Sequence, residues 1–160
     1  MASRSKSDKE AAVVSEKPSN PKDIIATGKL PMELVPDTLK VYAALGFLEG
    51  ALKYGRFNWR VAGVRSSVYR AALDRHLSKW WAGENKDPLT GVPHLASALA
   101  CIGILLDADV SGKLTDDRPP GQPLLPALID TMEHEVARLR ELFKDKHPKQ
   151  YTIEDSGTSS

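Results

Sequence analysis

Between positions 49 and 94 the chain carries Glu49, Lys53, Arg56, Asn58, Arg75, His76, Glu84, Asp87 and His94. Glu84 and Asp87 are three residues apart, so one helical turn would bring their carboxylates to one point. Oxygen ligands of this kind suit Mg²⁺ or Mn²⁺ rather than zinc. Lys53, Arg56 and Arg75 can neutralise phosphate oxygens, and arginine can do so with two parallel hydrogen bonds. Tyr54, Trp59, Trp80 and Trp81 offer rings that could stack on a base. Metal-binding carboxylates, phosphate-binding cations and stacking aromatics are the parts of a nucleotide phosphohydrolase. Each part also has a plain structural explanation. A lone histidine on an apolar stripe is more often a satisfied core residue than a ligand, and Glu49 can pair along its helix with Lys53. The whole set could be the salt-bridged surface of a bundle with tryptophan in its core. There is no Walker A loop, no GxGxxG and no HExxH.

The elements that must position these residues read as helices throughout. Asp37 or Thr38 can cap a first helix after Pro36, with Val41, Leu45, Leu48 and Leu52 as its stripe and Gly55 as its stop. Arg56 to Arg65 reads as a loop. Ser66-Ser67 opens a second helix with the stripe Tyr69, Leu73, His76, Leu77 and Trp80, ended by Gly83. Glu84 to Gly91 is a polar connector. Pro93 opens a third helix with Leu95, Ala98, Leu99, Ile102 and Leu106 on one side. After a loop from Asp107 to Gln122, Pro123 to Lys146 reads as a fourth helix with Leu125, Leu128, Met132, Val136, Leu139 and Phe143 as its stripe. No segment reads as a strand and no internal repeat is visible. The expected fold is all-α, a compact four-helix bundle-like domain. The expected boundaries are a disordered tail over residues 1–22, one domain over 23–147 and a flexible tail over 148–160, the two tails being polar and poor in apolar anchors.

Composition limits the partners. The chain has 160 residues, 41% hydrophobic and 27% charged, with a net charge of +1. That balance argues against a general nucleic-acid binder. The charge is uneven, however: residues 40–90 sum to +5 and residues 91–160 to −4. The basic middle is where an anionic ligand would be held. No apolar run approaches the ~20 residues of a membrane span, and the N-terminus has no signal-peptide core. The single cysteine, Cys101, excludes an internal disulfide and sits in an apolar run, as a packing residue would. A cytoplasmic protein without membrane contact is expected, and a bundle this small often forms a homo-oligomer.

The ordered series Lys29-Leu30-Pro31-Met32-Glu33-Leu34-Val35-Pro36, Gly50-Ala51-Leu52-Lys53-Tyr54-Gly55, Asn58-Trp59-Arg60, Tyr69-Arg70-Ala71-Ala72, Arg75-His76-Leu77, Gly83-Glu84 with Asp87, Thr90-Gly91 and His94-Leu95 resembles the phage and prophage family of dATP/dGTP diphosphohydrolase N-terminal domains. The likeness covers about residues 24–108. It implies an all-α domain related to MazG-like pyrophosphohydrolases, which cleave a nucleoside triphosphate between the α and β phosphates and use divalent cations held by carboxylates. It also implies a purine deoxynucleoside triphosphate as substrate and, for a phage protein, the host cytoplasm as location. On that reading Glu49, Glu84 and Asp87 hold Mg²⁺ or Mn²⁺. Lys53, Tyr54, Arg56, Asn58, Trp59 and Arg75 bind the substrate, and His76 or His94 positions water or a leaving oxygen. The chain departs from the MazG-like pattern of Glu-x-x-Glu on one helix and Glu-x-x-Asp on another. Gly46 and Leu52 flank Glu49 at three residues, so the first pair is a single Glu, and Glu84-x-x-Asp87 lies in a connector. A nucleotide-binding or regulatory protein on the same scaffold, and a structural protein in which the polar set only pins helices, are the alternative functions.

Overall fold

The structure, a computed structural model, describes residues 20–22, 28–121 and 124–156. The expected disorder of the N-terminal tail falls mostly on residues 1–19, which lie outside the described residues. The backbone divides into two units, residues 1–35 and 36–160. In the first, Met32–Leu34 forms a single 3₁₀ turn.

Among the described residues the second unit carries five α-helices: α1 (Asp37–Tyr54), α2 (Asn58–Ala62), α3 (Ser66–Trp81), α4 (His94–Val110) and α5 (Leu124–Leu142). The fold is all-α, with one minimal sheet in which β1 (Val64–Arg65) pairs in parallel with β2 (Leu114–Thr115), Val64 opposite Leu114 and Arg65 opposite Thr115. The stretch expected as a loop therefore holds α2 and β1. Five and two residues are too few to show a hydrophobic period. Gly63 makes the junction possible. Its φ is 75°, and a Cβ there would lie 2.9 Å from the Lys113 carbonyl oxygen, so only glycine fits without strain. Across the same junction the backbone N–H and the hydroxyl of Ser67 donate to Asp117, at 2.8 and 2.6 Å. Asp117 thus supplies a negative charge at the N-terminus of α3 from 50 residues away in sequence.

α4 is the central helix, packed against both α1 and α3. Its buried side is small: Ala96, Ser97, Ala100 and Cys101 face inward together with His94. The leucine and isoleucine stripe expected to face the core is partly outward, Ile102 being 42% and Leu106 65% exposed. α1 shows the same inversion. Val41, Leu45, Leu48 and Leu52 are exposed, and the one buried residue is Gly46. The cause is the α1–α4 crossing. A Cβ on Gly46 would lie 2.3 Å from the Ala96 carbonyl oxygen, and one on Gly103 would lie 2.8 Å from the Phe47 ring. Small residues on both helices let the backbones nearly touch, so the large side chains are carried to the outside. In α3 the expected face is largely kept, with Tyr69, Leu73 and His76 half-buried.

A second cluster closes the other end: Trp59, Val64 and Ala108, with Phe47, Tyr69, Ile104 and Leu114 around them. Asp107 ties it. Its carboxylate accepts hydrogen bonds from Trp59 Nε1 at 2.5 Å and from Arg60 Nε and Nη2 at 2.8 and 2.7 Å. α5 contributes no buried residue, so the fourth stripe expected in the bundle is not covered by the described residues of its own chain. Beyond it, where a flexible tail is expected, Ile153–Ser156 forms a 3₁₀ turn with Asp155 accepting from the Thr152 backbone and from Lys149. Residues 157–160 lie outside the described residues.

Candidate functional site

A cavity of about 360 Å³ opens between α1, α2, α3 and α4. Glu49, Lys53 and Tyr54 line it from α1, Asn58 and Trp59 from α2, Arg75 and His76 from α3, and Ser97 and Cys101 from α4. Its size is within the range of small-molecule sites. Seven of the eleven site residues expected from sequence are brought to this one cavity. Arg56, Glu84, Asp87 and His94 are not among its lining residues. A second cavity of about 440 Å³ is walled largely by apolar groups, among them Leu39, Tyr42, Trp80 and Leu99. Its titratable lining groups are Tyr42 and Lys86, with no carboxylate or imidazole beside them, so the first is the candidate site.

Glu49 is held from two sides. Its Oε1 accepts from Lys53 Nζ at 2.7 Å and its Oε2 from the Ser97 hydroxyl at 3.3 Å. Burial alone would raise its pKa, but the Lys53 ammonium and the hydroxyls of Thr90 and Ser97 outweigh burial and lower it. Lys53 in turn is held above its ordinary value, chiefly by the Glu49 hydrogen bond. The pair is thus a carboxylate and an ammonium across neutral pH.

Behind the cavity runs a chain of polar groups. His76 Nδ1 lies 3.1 Å from His94 Nδ1, and His94 Nε2 lies 2.8 Å from Glu84 Oε1. His94 is fully buried, while Glu84 is exposed and also accepts from Lys79 at 3.0 Å. The hydrogen bonds from His94 and then Lys79 hold Glu84 below the usual carboxylate range. An ionised carboxylate can only accept, so His94 Nε2 carries the proton. The Nδ1–Nδ1 contact has one donor and one acceptor; when His76 is the donor, its other nitrogen, Nε2, carries a lone pair. Burial, followed by the neighbouring His94, lowers the His76 pKa, which keeps that lone pair free near neutral pH.

The connector shapes the rim. Asp87 Oδ1 accepts from the backbone N–H groups of Leu89 and Thr90, both at 3.0 Å. These bonds, Thr90's first, lower its pKa. Asp87 is thereby the pivot of a tight turn that returns Thr90 toward Glu49. Glu84 and Asp87 are both engaged in these contacts. Among the described residues no group of three or more His, Cys, Asp or Glu is gathered so as to hold a metal ion. Of the three expected ligands, only Glu49 lines the cavity.

Trp59 borders the cavity but is 92% removed from solvent, its ring against Phe47 and Phe57 with centroids 5.6 Å away in each case. Burial raises the pKa of Cys101, which leaves it a thiol suited to packing. Sequence reasoning missed Ser97, Thr90 and Asp107. Ser97 is visible in sequence only as a hydroxyl interrupting a run of alanines, Thr90 only as part of the Thr90-Gly91 block and Asp107 only as a loop residue.

An all-α domain with one cavity framed by a carboxylate, two cations and an imidazole stands apart from the glycine-loop α/β folds that bind nucleotides. A family model described as dATP/dGTP diphosphohydrolase, N-terminal, matches residues 19–118, and the chain belongs to this family. The family's name relates the chain to nucleotide hydrolases. The match ends before α5. Comparisons with curated proteins and with solved structures give no match. Among the described residues no helix is long and apolar enough to cross a membrane.

Proposed function

We propose that the cavity binds a purine deoxynucleoside triphosphate and hydrolyses it to the monophosphate and pyrophosphate. The supporting observation is the gathering of Glu49, Lys53, Arg75 and His76 around one nucleotide-sized cavity in a chain of this family. Lys53 and Arg75 neutralise phosphate oxygens, and Tyr54 and Asn58 border the space left for sugar and base. His76 Nε2 takes a proton from water as its oxygen attacks the α phosphorus and the bond to the bridging oxygen of pyrophosphate breaks. The charge that His76 gains is relayed through His94 toward Glu84, so His94 is a positioning residue rather than one that touches substrate. Mg²⁺ or Mn²⁺ would arrive with the triphosphate, whose oxygens serve as ligands, and Glu49 is the carboxylate placed to join them. Such an ion supplies charge neutralisation on the phosphates.

The engagement of Glu84 and Asp87 in other contacts favours a second reading, a domain that binds the nucleotide without turning it over. One experiment separates the two. The full chain is incubated with Mn²⁺ or Mg²⁺ and a panel of deoxynucleoside triphosphates, with pyrophosphate release and thermal shift measured together. Release from dATP or dGTP that falls about 10–100-fold in His76→Gln supports hydrolysis. A thermal shift without release supports the second reading, and neither response overturns both.

A further inference from the structure

Helix α5 carries an apolar stripe that the described residues of its own chain leave open. Leu125, Leu128, Met132, Val136, Leu139 and Phe143 recur at spacings of three, four, four, three and four, which is one stripe on a helix of 3.6 residues per turn. All six are between 43% and 55% exposed. A helix of this length is marginal in water without a buried face, and an exposed apolar stripe rimmed by charge marks a contact surface. The segment lies beyond residue 118, where the family match ends.

Charge along the helix says what covers the stripe. Residues 124–135 carry Asp130, Glu133 and Glu135 and no Lys or Arg, whereas residues 136–142 carry Arg138 and Arg140 against Glu141. The first half is therefore −3 and the second +1. We propose that α5 pairs antiparallel with α5 of a second copy of this chain, each acidic half lying along the other's basic half. A parallel pair would set acid beside acid and base beside base, and flanking charges of this kind decide orientation in paired helices. Glu133 and Arg140 are seven residues apart and flank the stripe on the same side. In an antiparallel pair each flank meets its own counterpart, so Glu133 of one copy faces Arg140 of the other, and two-fold symmetry makes this contact twice. Arg138 is already bonded to Glu135 within the chain at 2.8 Å, so the orientation rests mainly on Glu133 and Arg140.

The test is the oligomeric state of the full chain by sedimentation or light scattering at about 50 µM, where an interface of this kind should be occupied. The expected result is a dimer of the 17.5 kDa chain. Met132→Glu should loosen it by about 100-fold or more, because it buries a charge in the stripe. Glu133→Arg and Arg140→Glu should each weaken it about fivefold, and the two together in one chain should restore it, since the pair is re-formed with its signs exchanged. Circular dichroism checks that the helical content survives. If Met132→Glu fails to fold, the two surface reversals still decide. A monomeric wild type, a dimer indifferent to Met132→Glu, or a double reversal no tighter than the single ones would each overturn the proposal.

Discussion

Replacing Gly46 by alanine tests whether the α1–α4 crossing sets the site. The new Cβ would lie 2.3 Å from the Ala96 carbonyl oxygen, 2.8 Å from its carbon and 3.1 Å from the Ala100 Cβ. Ordinary contact begins near 3.4 Å, so the helices must part by roughly 1 Å, and a helical carbonyl cannot swing aside as a flexible side chain would. Alanine in a helix interior is worth about 1 kcal/mol over glycine. Overpacking costs about 1–3 kcal/mol, so a net loss of about 1 kcal/mol is expected, or a melting point lower by about 3–6 °C. The same displacement moves Glu49 from Ser97, whose contact at 3.3 Å is already long, so the thermal shift given by dATP or dGTP should shrink as well. Gly50→Ala is the internal control. It lies one turn further along α1, and a Cβ there meets nothing within 4 Å, so it should raise the melting point by the propensity gain alone. Scanning fluorimetry of both variants without nucleotide reads opposite signs if the reasoning is right. A Gly46→Ala protein as stable as Gly50→Ala would refute it.

Three further outcomes follow from the polar chain and the Asp107 tie. His94→Ala leaves the His76 ring without its partner and should cost about 1–3 kcal/mol; in ¹⁵N spectra the His76 tautomer should change from protonated at Nδ1 to mixed, a response that packing loss alone would not give. Because the His76 pKa is lowered in the fold, the unfolded chain binds its proton first. Stability should therefore fall as pH drops below the ordinary histidine value of 6.5, and urea titrations of His76→Gln should show a flatter dependence there. The Arg60 and Trp59 hydrogen bonds hold Asp107 at about 2, against an ordinary 3.8. Its contribution is complete above 3.8 and is lost as pH falls toward 2, so Asp107→Asn should be less stable at neutral pH and less sensitive to acid in the same titration.

What the sequence displays and what it hides divide along physical lines. Helix ends were legible because single residues enforce them: Gly55 closes α1 and Pro93 stands immediately before α4. The polar set from Glu49 to His76 was legible because its residue types are costly on an apolar stripe without a purpose. The inward face of α1 was not. Amphipathic reading sends the bulkiest apolar residues inside, and here Gly46 goes inside while Leu52 stays 80% exposed. The bond between His76 and His94 joins two helices across 18 residues, and Asp107 reaches Trp59 across 48. No local period encodes such pairings. The roles of Glu84 and Asp87 depended on which atoms reach them first, and in the fold these are His94 and a turn's own backbone.

The site and the exposed apolar surface have one origin. The separation of two packed helices follows the size of the side chains at their contact. With Gly46 against Ala96 the backbones close in, and the Glu49 carboxylate is fixed between Ser97 and Lys53 at the mouth of the cavity. The same approach leaves no room between α1 and α4 for Val41, Leu45 and Leu48, which turn outward. A chain that assembles its cavity from small residues therefore carries this apolar bulk outward, where the described residues leave it exposed.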